Sequence, residues 1–143
     1  MIKPVFILFL NLAVASFARD TKVMMPLGKI LSSKVFKEKV GTGIKFEFAD
    51  TTIPPEAKNL GSVKSSRKTS VFGKSDSAGC EWVFLSNMIA LKQEAISKGA
   101  DEVVGIVSNY KNIEYSSPTE YECHAGGIMA GVALKGTLVK LKK

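Results

Sequence analysis

Apolar positions recur at period two in some stretches and at three and four in others, and the switches between these periods divide the chain into elements. The densest run is Thr119 to Leu141, TEYECHAGGIMAGVALKGTLVKL, rich in small and β-branched residues. It reads as paired strands crossing a core, with Gly126, Gly127 and Gly131 allowing close backbone approach or a bulge. In IKFEF, Ile44, Phe46 and Phe48 alternate with charge, which marks a half-buried strand with those three side chains inward. EVVGIVSNY, 102–110, is a β-branched strand suited to the sheet centre, and Lys111 to Pro118 is a polar hairpin connection after it. SVKSSRKTSVF, 62–72, is a polar, basic strand, and the prolines at 54 and 55 make the stretch before it irregular.

Two stretches carry helical spacing. From about Ser77 to Lys98, Cys80, Val83, Phe84, Met88, Leu91 and Ala95 form an apolar stripe, with Trp82 and Leu85 beside it. Asp76 or Ser77 would cap this helix and Gly99 would stop it. From Pro26 to Val40, Leu27, Ile30, Leu31 and Val35 share one face of a shorter amphipathic helix that ends at Gly41-Thr42-Gly43. The pattern gives an α+β fold: a single two-layer domain with one long helix, about 77–98, on a mainly antiparallel sheet, plus the short N-terminal helix.

Composition changes this picture at the N-terminus. Lys3 precedes the apolar run PVFILFLNLAVA, and Ala15, Ser16 and Ala18 follow it, the layout of a secretory signal peptide. A cut after Ala18 makes residues 1–18 the leader and 19–143 the exported domain, with Ala13-x-Ala15 as a second site. The run falls short of the roughly 20 residues of a spanning helix. The leader holds Lys3 and no acid, so the formal charge of +7 becomes +6, with 19 basic residues against 13 acidic. A basic exported domain, periplasmic or secreted, attracts anionic envelope components, while export argues against nucleic acid.

The basic strand 62–72 admits two readings. It is a sheet edge whose lysines discourage strand addition, or an anion-binding strip of Lys58, Lys64, Arg67, Lys68 and Lys74. Alternation puts Lys64 and Lys68 on one face and Arg67 on the other.

Cys80 and Cys123 are the two cysteines, and outside the cytosol they are most simply one structural disulfide. Their loop of about 44 residues is worth roughly 4 kcal/mol in the chain-entropy model. His124 follows Cys123, but consecutive strand residues point to opposite faces, so it is badly placed as that thiol's base. With the cysteines bonded no metal ligand set remains, and Met24, Met25, Met88 and Met129 suit core packing. Gly131 to Thr137 has P-loop glycine spacing but lacks the lysine between Gly136 and Thr137, so ATP binding is not indicated. No cofactor is expected, and the reading is a non-enzymatic interaction domain, with a small-ligand or metal-binding module as the alternative.

GCEWVFLSNMIALKQEAISKGADEVVGIVSNY followed by TEYECHAGGIMAGVALKGTLVKL resembles small exported bacterial proteins labelled "excinuclease ATPase subunit". That label implies a nucleotide site, for which the P-loop lysine is missing. More distantly, the helix, the G-A-D-E-V-V strand and Cys-x5-Met-x-Gly-x-Ala-Leu resemble the periplasmic domain of the Rcs envelope-stress sensor lipoprotein and the YbjQ-like domains. That resemblance implies an α+β fold and a disulfide at Cys80 and Cys123. The sensor's second disulfide would fall on Ser108 and Met129, neither a cysteine, and no lipid-bearing cysteine follows the apolar run. The YbjQ-like resemblance leaves a homo-oligomer open, and the partner implied is a protein or an anionic envelope component.

Overall fold

The computed structural model describes residues 20–50 and 52–142, so the expected leader at 1–18 lies outside the described residues. The elements are β1 (Thr21–Pro26), α1 (Leu27–Leu31), α2 (Lys34–Lys39), β2 (Lys45–Phe48), β3 (Lys58–Ser70), α3 (Asp76–Ser97), β4 (Glu102–Ser108), β5 (Glu120–Gly126) and β6 (Met129–Lys140). The fold is α+β, with one long helix packed on a curled six-stranded sheet. No helix among the described residues is long and apolar enough to cross a membrane.

The sheet is built around β6, whose 12 residues span roughly 40 Å. Along one edge β3 pairs with its whole length, from Ser70 opposite Met129 to Lys58 opposite Lys140. The other edge is shared by two shorter strands, because β5 pairs with residues 129–131 and β4 with residues 134–139. Beyond β5 lies β1, antiparallel, and beyond β4 lies β2, the one parallel neighbour. The sheet therefore forks at Val132 and Ala133, and the fork curls it.

Period-two alternation in β6 sends Ala130, Val132, Leu134 and Leu138 toward α3, where they join Val63, Val103, Ile106, Tyr121 and Cys123 in the core. The stripe expected on α3 meets them: Cys80, Val83, Phe84, Met88, Leu91 and Ala95 are buried, and so are Leu85 and Asn87. Phe84 stacks on Tyr121 with centroids 4.2 Å apart. Ser75, rather than Asp76 or Ser77, is the helix cap, because its Oγ accepts from Ala78 N at 3.1 Å. Gly99, at φ +73°, ends the helix as expected.

Cys80 on α3 and Cys123 on β5 are bonded, with Cα atoms 5.9 Å apart, so the two layers are joined covalently at the centre of the core.

Four expectations need correction. The helix placed at 26–40 is two helices: Ser32 Oγ donates back to Gly28 O while Ser33 Oγ accepts from Phe36 N and starts α2 afresh. The strand placed at 62–72 begins earlier, at Lys58, through a register shift between Asn59 and Gly61. Residues 111–118 do not close a hairpin, because β4 and β5 each pair with β6 and not with each other; instead Lys111 and Asn112 take positive φ in a short turn and Tyr115 bridges back to Ser108. The closest approaches fall at other glycines. A Cβ at Gly79 would lie 2.1 Å from Val71 Cγ1 and one at Gly136 would lie 2.9 Å from Val103 Cγ1, whereas Gly131 has ordinary room and Gly127 forms the β5–β6 turn.

Candidate functional site

The face of the sheet turned away from α3 carries the polar chemistry. Strand register aligns four side-chain positions across it: Lys22 on β1, His124 on β5, Gly131 on β6 and Lys68 on β3. Gly131 leaves the middle of this row low, and the Tyr110 ring lies over it and stacks on His124 at 3.5 Å, with ring planes 7° apart. The tight turn through Lys111 is what swings Tyr110 across the sheet. The resulting cleft, about 220 Å³, is lined by Asp20, Lys68, Tyr110, His124, Met129 and the neighbouring small residues of β5 and β6.

His124 sits between two carboxylates. Its Nδ1 is 2.8 Å from Asp20 Oδ1 in a hydrogen bond. Its Nε2 is 3.1 Å from Glu122 Oε2, a close contact without a hydrogen bond. Glu122 is buried, and its second oxygen faces Lys22 Nζ at 3.5 Å. Asp20 also faces Lys111 Nζ at 3.7 Å. An imidazole oriented by an aspartate is two parts of a nucleophilic triad. Here Nε2 meets a carboxylate, and no hydroxyl or thiol among the described residues bonds to it. The two carboxylates flank opposite ring nitrogens and do not converge on one point. Among the described residues no group of three or more histidine, cysteine, aspartate or glutamate side chains is placed to hold a metal.

The five basic residues of the expected strip do not come together. Lys58 lies at the far end of β3 opposite Lys140, roughly 33 Å along the strand from Lys68. Lys74 lies beyond β3, with Nζ 5.8 Å from the Trp82 ring. Lys64, Arg67 and Lys68 remain a local group, with Lys64 and Lys68 on the outer face and Arg67 on the α3 side. None of these three enters an ion pair among the described residues. Lys135, by contrast, is occupied. Its amine donates to Glu114 Oε1 at 2.6 Å and holds that carboxyl below its usual range.

Only one edge of β3 is paired among the described strands. Beside the unpaired edge runs a groove of about 650 Å³, walled by Ser62 to Arg67 on one side and by Ala90, Gln93, Glu94 and Ser97 of α3 on the other. Sequence reasoning found the edge character and missed the groove, because the helix face that walls it is polar and carries no signal of contact.

No family model and no curated protein matches the chain. The fold is similar to the crystal structure of a protein of unknown function from Pediococcus pentosaceus that belongs to the DUF74 family. The two share 14% identity over 71% of this chain and 100% of that one, with a TM-score of 0.50. At that identity the likeness concerns the fold alone.

Proposed function

We propose that this chain is a non-enzymatic interaction domain of the cell envelope, exported by its N-terminal leader, that binds an extended acidic segment of a protein partner along β3. The observation that carries the reading is the edge of β3 left unpaired by the described strands beside a polar groove, with Lys64, Arg67 and Lys68 outside the ion pairs formed among the described residues. An added strand would gain main-chain hydrogen bonds from the edge and place its own side chains on both faces. Cations outside any ion pair among the described residues stand on both faces of β3, which favours a strand at the edge over a polymer lying on one face. The Cys80–Cys123 bond supports an oxidising compartment outside the cytosol. The resemblance to the periplasmic domain of the envelope-stress sensor implies the same setting.

A peptide of about ten residues alternating glutamate with valine is the probe. Lys64, Arg67 and Lys68 changed together to glutamine should weaken its binding about tenfold or more, read by anisotropy at fixed salt. Lys37, Lys39 and Lys142 changed together remove equal charge elsewhere and should change it less than threefold. Equal losses in both would reduce the reading to net charge.

A second reading is a small-ligand site in the cleft at His124, favoured by its half-buried imidazole and the buried Glu122 carboxylate. At about 220 Å³ that cleft is smaller than the roughly 300 Å³ at which drug-sized pockets begin.

A further inference from the structure

We infer that one end of the molecule docks on the surface of an anionic lipid bilayer. Two turns meet at that end, where Val71 N–H donates to Ile128 O at 2.7 Å and joins the β3–α3 turn to the β5–β6 turn. From them Phe72, Ile128 and Met129 project, 84%, 60% and 40% exposed. Three large apolar side chains on adjoining turns form a patch and differ from scattered single exposures.

Charge beside the patch is cationic. Lys68 lies one row below Met129, opposite Gly131, and Lys74 follows Phe72 by two residues against the half-exposed Trp82. Of the acids at this end, Asp20 is engaged by His124 and Lys111, and Asp76 belongs to the first turn of α3. The chain also enters the domain here. β1 runs antiparallel to β5 with Thr21 opposite Ala125, so Asp20 stands at the same end as the two turns. The apolar run of residues 4–15 precedes this point in the chain by only a few residues, so a membrane that engages the run meets this end first.

Aromatic and aliphatic side chains enter the boundary between headgroups and acyl chains, and lysines beside them stay among the phosphates. A leucine-lined protein pocket would accept Phe72 and Ile128 equally well but gives no role to the lysines or to the point of chain entry. The inference uses different side chains from the β3 edge, so the two readings stand or fall separately.

The test uses leaderless protein recovered from producing cells, its start fixed by intact mass, and vesicles in which about a third of the lipid is anionic. Phe72→Ser with Ile128→Ser should lower the partition coefficient about tenfold in sedimentation. Ile96→Ser with Ile113→Ser removes exposed apolar side chains elsewhere and should change it less than about twofold. In a Phe72→Trp, Trp82→Phe variant, emission should shift to the blue and be quenched by lipids brominated near the headgroup. Absence of binding by the unmutated protein, equal losses in the two double variants, or unquenched emission would each overturn the inference. Retention of the acidic peptide by the Phe72→Ser, Ile128→Ser protein would show that the β3 reading is unaffected.

Discussion

Tyr121 is held in the core with 1% of its surface exposed, and its hydroxyl has no hydrogen-bond partner among the described residues. Burial, with the Glu81 charge as a smaller cause, pushes its ionisation well above the ordinary tyrosine range. An unfolded tyrosine ionises near pH 10. Above about that pH the unfolded chain binds fewer protons than the folded one, so stability present at lower pH is lost as pH rises. Tyr121→Phe should flatten this alkaline slope in urea titrations while leaving stability at pH 7 within about 1 kcal/mol, since the hydroxyl it removes is already unpaired. Such a site is readable in sequence only as an inward strand position. The same limit hid the surroundings of His124: alternation correctly separated its face from that of Cys123, but its partner Asp20 is 104 positions away. Asn87 shows the converse. Its spacing from Phe84 and Leu91 places it on the apolar face, where its amide donates to Val83 O and Val132 O.

At the scale of elements, α3 was legible because stripe, cap region and terminal glycine agree on one length. The break between α1 and α2 was not, because the apolar spacing of Leu27, Ile30, Leu31 and Val35 runs through it undisturbed. β1 escaped notice because TKVMMP is six residues long and shows no clean alternation. How α3 lies on the sheet depends on Gly79. Alanine there would gain about 1 kcal/mol of helix propensity, but its Cβ would lie 2.1 Å from Val71 Cγ1, and overpacking of this kind costs about 1 to 3 kcal/mol. Gly79→Ala is therefore expected to destabilise by about 1 kcal/mol in denaturant unfolding, and the same change made in a Val71→Ala background should stabilise. Stabilisation in both backgrounds would mean the contact is not tight.

For the whole molecule, the bond between Cys80 and Cys123 constrains helix and sheet together. Cys80→Ala or Cys123→Ala should each lower stability by about 2 to 5 kcal/mol. The double variant should be no worse than either single one, because the two changes remove the same bond. Costs that add would show that the cysteines act independently. Two cysteines admit a single intramolecular pairing, which made this link legible in the sequence, whereas the groove beside β3 and the apolar end did not stand out, since both arise where segments distant in sequence meet.

The forked pairing of β6 also sets the order in which the chain can fold. β3 pairs only with β6 among the described strands and is synthesised before it, whereas β4 and β5 have earlier partners in β2 and β1 and need β6 to join these two pairs into one sheet. A chain made from its N-terminus therefore carries β3 unpaired, and the β1–β5 and β2–β4 pairs unjoined, until residues 129–140 become available. Because the decisive contacts join distant positions, closure of the sheet is a late and slow event.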